Sequence, residues 1–295
     1  MLERRHDDFV TGIALAAISA VAFGTLAIFA KLAYRHGAAA VPLLATRFSI
    51  AALLLVGFNR LARRSLALDR TQTIRLMLLG GIGYAFESAL YFAALGHASA
   101  AVVGLIFYSY PVWTSIGAIA VRLEPFHPRL LAALVVGTAG ILTIFALPHG
   151  DLVGPLLALA AALAVTAYYL FAQVLVRGVD PHAAATLTAT GAAITLTGAS
   201  AVTRQAIPWD AWPYAFGLGL VTAVAFVCLY GAVARIGSAK TSIAHMLEPV
   251  TTVILAALIL GNAISVRIAI GAALIVAALP ILALQRRTEV PAPDG

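Results

Sequence analysis

Charge is what this 295-residue chain has least of: Asp, Glu, Lys and Arg together make up 11% of it, against about 25% in soluble globular domains. With 62% hydrophobic residues and a mean hydropathy of +0.99, it cannot cover a folded surface with groups that water solvates. A soluble enzyme is excluded as the overall class. Cysteine is nearly missing as well. The single thiol, Cys228, lies within an apolar run, so no intrachain disulfide can form, and it reads as a small buried hydrophobe. No HExxH, no GxSxG and no pair of intramembrane aspartates is present. An intramembrane enzyme would need such a nucleophile–base or metal constellation. Beyond the single pair His245/Glu248 there is no metal-ligand pattern, and no cofactor is expected.

What the chain does have is ten apolar runs of about 20 residues, each long enough to cross a hydrocarbon core about 30 Å thick. They cover roughly 11–33, 39–58, 75–96, 99–121, 130–147, 153–176, 183–202, 211–233, 239–260 and 265–284. Short loops join them and no soluble domain is left over. The first run follows a mixed-charge segment, Glu3 to Asp8, and outlasts a signal-peptide core, so it reads as a retained span. The net charge of +7 could point to nucleic acid, but its placement explains it better. With a cytoplasmic N-terminus, Arg4, Arg5, Arg60, Arg63, Arg64, Arg70, Arg75, Arg122, Arg129, Arg177, Arg235, Lys240, Arg286 and Arg287 fall inside, against Lys31, Arg35, Arg204 and Arg267 outside. That bias places both termini in the cytoplasm, and nucleic acid drops out as a partner in favour of the lipid bilayer.

The runs repeat. Tyr91, an alanine-rich turn, Pro111 and Glu124 recur as Tyr230, a Gly237-Ser238-Ala239 turn, Pro249 and Asn262, with 13 residues from proline to the polar helix end in both copies. Five spans per copy is an odd number, so the copies lie upside down relative to each other. The expected fold is an all-α membrane protein of ten transmembrane helices in two inverted five-helix repeats, 11–147 and 153–284. Such repeats are the usual trace of a secondary transporter, whose halves rock around a central site. A channel or a structural membrane protein would explain the apolar bulk but not the duplicated proline-centred helices.

An ionisable side chain near the bilayer centre costs about 2.5–3.5 kcal/mol on insertion scales, so each needs a partner, water or a role. Arg47, Glu87 and Glu248 stand about 12, 18 and 13 Å from the ends of their helices at 1.5 Å per residue. Tyr84, Glu87, Ser88 and Tyr91 follow i, i+3, i+4, i+7, one helical face, which lines a wet cavity or ties helices together. His245 and Glu248 are near neighbours on the ninth span, as a structural hydrogen bond or a proton-coupling pair. Pro249 frees the carbonyl of His245 and Pro111 that of Phe107, and softened helices at matching places in two halves mark a binding site. Tyr108, Tyr110 and Trp113 surround Pro111, while Tyr168 and Tyr169 precede Gln173; rings with polar tips can stack on a planar ligand and bond its head group. Trp209 and Trp212 read as interface anchors. Lys31 is placed to snorkel, with Gln173 at its equivalent position. The hydroxyl- and glycine-rich seventh run suits close helix contact.

The order and spacing of Phe23-Gly24 with Lys31, Arg47-Phe48, Tyr91 before its alanine-rich turn, Glu248-Pro249, and glycines in the last helix of each half (Gly137, Gly271) resemble the drug/metabolite transporter superfamily in its ten-helix form with paired EamA-type repeats. The chain departs from that pattern with Tyr110-Pro111 for Glu-Pro, Asn262 for Glu, and Thr186 at the second-copy place of Arg47. The resemblance implies export of small metabolites or drugs across the bacterial inner membrane. Sugar-phosphate and nucleotide-sugar exchangers would want several cavity cations, and only Arg47 and Lys31 are on offer. One cation with carboxylates and tyrosines suits a zwitterion, most like the substrates of aromatic amino acid exporters; efflux of drugs or cationic compounds is the alternative. Monomer and homodimer are both left open.

Overall fold

A backbone in hydrocarbon must satisfy its own N–H and C=O groups within its own segment, and helix lies over each of the ten apolar runs. The computed structural model describes residues 2–283 apart from 65, 67, 99, 145–151, 204 and 262. Arg204, Asn262, Arg286, Arg287, residues 145–147 and residue 284 therefore lie outside the described residues, as do the side chains of Arg4 and Arg5. The helices are α1 (Leu2–Arg35), α2 (Ala40–Leu61), α3 (Arg70–Leu78), a π turn (Leu79–Tyr84) running into α4 (Ala85–His97), α5 (Ala100–Phe107) and α6 (Tyr110–Ala120). After them come α7 (Pro128–Ile144), α8 (Val153–Leu175), α9 (Pro181–Thr203), α10 (Trp212–Ala244), α11 (Leu247–Leu260) and α12 (Val266–Ala283). There is no strand among the described residues. Among the described residues six helical stretches are long and apolar enough to cross a bilayer unaided, and 128–144, 247–260 and 266–282 are shorter apolar helices.

The proline kinks expected from sequence are short interruptions of the helical ladder, with Ser109, His245 and Met246 still in right-handed helical backbone. The helix stops at Phe107 and restarts at Tyr110 with Pro111 in its first turn; it stops at Ala244 and restarts at Leu247 with Pro249 in its first turn. The carbonyl of His245 is not left free, because the N–H of Glu248 donates to it at 3.0 Å. The Gly237-Ser238-Ala239 turn expected between the eighth and ninth runs takes a single residue: α10 passes through Gly237 at φ 83°, ψ 172°, positive-φ backbone that glycine adopts without steric cost.

Packing respects the duplication. α1 lies on α10 and α11, as α8 lies on α4, α5 and α6; α2 lies on α10 as α9 lies on the π turn and α3; α2 pairs with α9 and α7 with α12. Exchanging the halves leaves this map unchanged. At the α7–α12 crossing a Cβ added to Gly140 would come within 2.7 Å of the Gly271 carbonyl, and one added to Gly271 equally close to the Gly140 carbonyl. Gly140 is thus the counterpart of Gly271, and Gly137 faces Met246 instead. At the α9 crossing Gly191 abuts the carbonyl of Met77 and Gly80 that of Thr188, the close contact that small residues allow between membrane helices.

One end of the bundle carries the ends of α2, α6 and α8 and the starts of α3 and α7. It is tied by Arg64 to Asp180 at 3.2 Å, by Gln72 to the carbonyl of Leu175, and by Gln173 to the carbonyl of Leu123 at 3.4 Å. This end holds Arg60, Arg63, Arg64, Arg70, Arg122 and Arg177 and is called the basic end below. At the other, the His36 and Tyr214 rings stack at 5.2 Å.

Candidate substrate cavity

Arg47 is carried inward by α2 and is 7% exposed. Its Nε donates to Thr222 Oγ1 of α10 at 2.7 Å and its Nη2 to the Tyr84 hydroxyl at 3.3 Å. The guanidinium also lies 4.8 Å from the Phe48 ring centroid and 5.9 Å from that of Tyr84, a cation–π cradle. Thr222 can accept because its own proton goes to the Leu218 carbonyl at 2.7 Å. A buried guanidinium needs such donors' partners and rings, since a bare charge in a dry interior is strongly disfavoured.

The π turn ends at Tyr84, and from there Glu87, Ser88 and Tyr91 continue along one face of α4, all lining the same cavity. Ser88 Oγ donates to Glu87 Oε2 at 3.1 Å. Opposite, the break before Pro249 presents His245 and Glu248, and the break before Pro111 presents Tyr108 and Tyr110; Tyr108 hydrogen-bonds the Glu248 carboxylate. From α8, the Tyr169 ring stacks on Tyr110 at 5.6 Å, and its hydroxyl meets His245 Nδ1 at 3.0 Å. His245 is 1% exposed and its Nε2 has no hydrogen-bond partner. Tyr230 donates to Thr188 at 2.8 Å, so the 2.6 Å contact between Tyr168 and Tyr230 has Tyr168 as donor.

These groups line a cavity of about 420 Å³, within the range of small-molecule sites. Both halves contribute to it. It extends past Leu44 and Ala30 to Tyr34, Leu43 and Val253, toward the end opposite the basic one. The structure thus gathers Arg47, Tyr84, Glu87, Ser88, Tyr91, Tyr108, Tyr168, Tyr169, His245, Glu248 and Pro249. It does not gather the other three residues picked from sequence. Trp113 is 39% exposed, on an outward stripe with Ile116 and Ala120, and its Nε1 donates to Ser109 at 3.2 Å. Gln173 is on the right face of α8 but one turn nearer the basic end, where it holds Ser238. Pro111 is buried next to the cavity-lining Tyr110 without itself lining the cavity. Lys31 is exposed and outside it.

Sequence reasoning missed the α1 wall. Phe23, Ala27, Ala30 and Tyr34 all line the cavity, and their i, i+4, i+7, i+11 spacing was a readable signal. It also missed Thr222, which nothing in a run of apolar neighbours singles out as the partner of Arg47.

The EamA-like transporter family matches this sequence twice, over residues 10–146 and 152–284. A solved structure titled only "Crystal structure of protein" superposes with a TM-score of 0.80 at 19% identity, covering 95% of this chain and 99% of its own; at that identity the likeness speaks for the fold. No curated protein matches. Matched in both halves and over nearly all its length, this multi-pass membrane protein belongs to the EamA-like transporter family.

Proposed function

We propose that the protein is a secondary transporter exporting small metabolites, aromatic amino acids foremost, across the bacterial inner membrane by alternating access, with ten spans in two inverted repeats and both termini cytoplasmic. The observation that carries this reading is the meeting of Arg47, Glu87 and Glu248 with a ring of tyrosines in one cavity shared by the halves. A carboxylate of the substrate pairs with Arg47, whose planar fork suits it. Its ammonium faces Glu87 and Glu248. Its ring lies among Tyr91, Phe107, Tyr108 and Tyr169, where edge-to-face contacts already prevail, Tyr91 to Phe107 at 4.9 Å among them. His245 Nε2 adds a ligand contact, because a buried polar atom without a partner costs about 1–3 kcal/mol that a bound substrate oxygen or nitrogen recovers. With a single guanidinium, the cavity suits a zwitterion better than a phosphorylated substrate.

Reconstituted vesicles should move labelled phenylalanine, tyrosine or tryptophan. Glu87→Gln and Glu248→Gln should keep shape and hydrogen bonding, so the protein folds, while transport falls by about tenfold or more, the factor of one charge-assisted hydrogen bond. Trp113→Ala and Trp209→Ala, both away from the cavity, should transport like the parent. Vesicles that move a quaternary ammonium dye but no aromatic amino acid would overturn the substrate assignment in favour of cation efflux.

The orientation has its own test. In a Cys228→Ala background, Ala62→Cys at the basic end should react with an impermeant maleimide only once the cytoplasm is opened, and Ala206→Cys should react from outside. Labelling of both from one face would contradict the inverted arrangement.

A further inference from the structure

The break at Gly237 leaves the next N–H groups of α10 without carbonyls one turn back, as at any helix start, and it does so in a dry place. Two side chains from elsewhere take them. Gln173 Oε1 of α8 accepts from the Ser238 N–H at 2.8 Å and from the Ser238 hydroxyl. Glu124 Oε1, in the turn between α6 and α7, accepts from the Ala239 N–H at 2.8 Å, while its Oε2 receives Lys240 Nζ at 3.1 Å. Glu124 is 7% exposed, Gln173 8% and Ser238 0%. The fit is close enough that the Glu124 carboxylate occupies the place a Cβ on residue 237 would need.

Glu124 joins the first repeat to the second at the basic end, while Gln173 and Ser238 tie two helices of the second. Thr241 and Ser242, both 0% exposed, stand one turn from His245 on the same face, between these contacts and the cavity. The cavity extends the other way, to Tyr34 and Val253. A charge-assisted bond to backbone N–H groups is among the stronger contacts a carboxylate makes, and here it is made between segments that a rocking of the halves would separate.

We propose that Glu124 forms a latch that holds the basic end shut, and that its release from Ala239 and Lys240 is what opens the cavity toward that end. The inference rests on the alternating-access reading above. A contact present in one state and absent in the other biases the equilibrium between them by its differential free energy, so weakening the latch populates the state open at the basic end.

Ser242→Cys in the Cys228→Ala background is a near-isosteric reporter beneath the latch. In membrane vesicles of known sidedness, an impermeant maleimide applied at the basic end should label it slowly when Glu124 is intact. With Glu124→Ala, labelling should be about tenfold faster or more. Glu124→Gln, which keeps an acceptor for Ala239 but loses the ion pair, and Lys240→Met should fall between. Arg64→Ala, which breaks an exposed pair at the same end, should leave the rate alone. Melting temperature and monodispersity are followed in parallel; if Glu124→Ala does not fold, Glu124→Gln and Lys240→Met decide. Equal labelling across the folded variants would overturn the latch. No substrate is needed for this readout, so faster labelling in a protein that moves no amino acid sustains the latch and removes only the substrate assignment, while equal labelling in a protein that does move one removes only the latch.

Discussion

Vesicles reconstituted with Arg47→Met should transport at least about 100-fold more slowly than the parent. The guanidinium contributes two hydrogen bonds within the protein, to Thr222 and Tyr84, and the fork that would hold a substrate carboxylate. Each bond to a charged group contributes about 1.5–3 kcal/mol, and each ~1.4 kcal/mol is a factor of ten, so losing a two-pronged carboxylate contact reaches that size. Methionine fills much the same space and leaves Phe48 and Tyr84 covered. Arg47→Lys keeps the charge without the fork and should recover only part of the rate. Initial rates over a concentration series separate the causes: the loss belongs in apparent affinity if Arg47 binds substrate. A parent-like rate in a folded Arg47→Met protein would remove Arg47 from the pathway.

The second large effect is on folding. Gly191→Ala should cut the yield of monodisperse protein severely or lower its melting point by more than any other single methyl in α9, because a Cβ there would run into the carbonyl of Met77, and no rotamer of alanine relieves a backbone clash. Overpacking costs typically 1–3 kcal/mol where side chains can yield, and more where they cannot. The control lies on the same helix: Gly198 has nothing within 4 Å of its would-be Cβ, so Gly198→Ala should be neutral or slightly stabilising through helix propensity. Equal melting points for the two variants would show that α9 does not cross α3 so closely.

Periodicity made most of the cavity legible. A stripe such as Tyr84, Glu87, Ser88 and Tyr91 needs only a helix and a count, and polar residues that hydrocarbon would penalise announce which way they face. The same count, applied to α6, sets Trp113 with Ile116 and Ala120 on the outer side, so its proximity in sequence to Pro111 was the wrong guide. Gln173 shows the limit of the count. Its face was readable but its depth was not, because depth is fixed by partners 65 residues away at Ser238 and, for neighbouring Glu124, 115 away at Ala239. Both depend on the left-handed Gly237, which in sequence is one more small residue in a small-residue turn. The π turn had a trace in Gly80, Gly81 and Gly83, but glycine is too common in membrane helices to be read as one.

α7 and α12 stand apart from all of this. They supply no wall of the cavity and meet chiefly each other, through a crossing in which Gly140 presses on Gly271 and Gly271 on Gly140. A contact in which each surface meets its own copy is isologous, the kind by which two identical subunits close a dimer. Within this single chain it is a seam between covalently joined halves. The two glycines therefore answer to each other: a side chain placed on either one meets the other's backbone carbonyl, so the seam can be pried open from both sides alike.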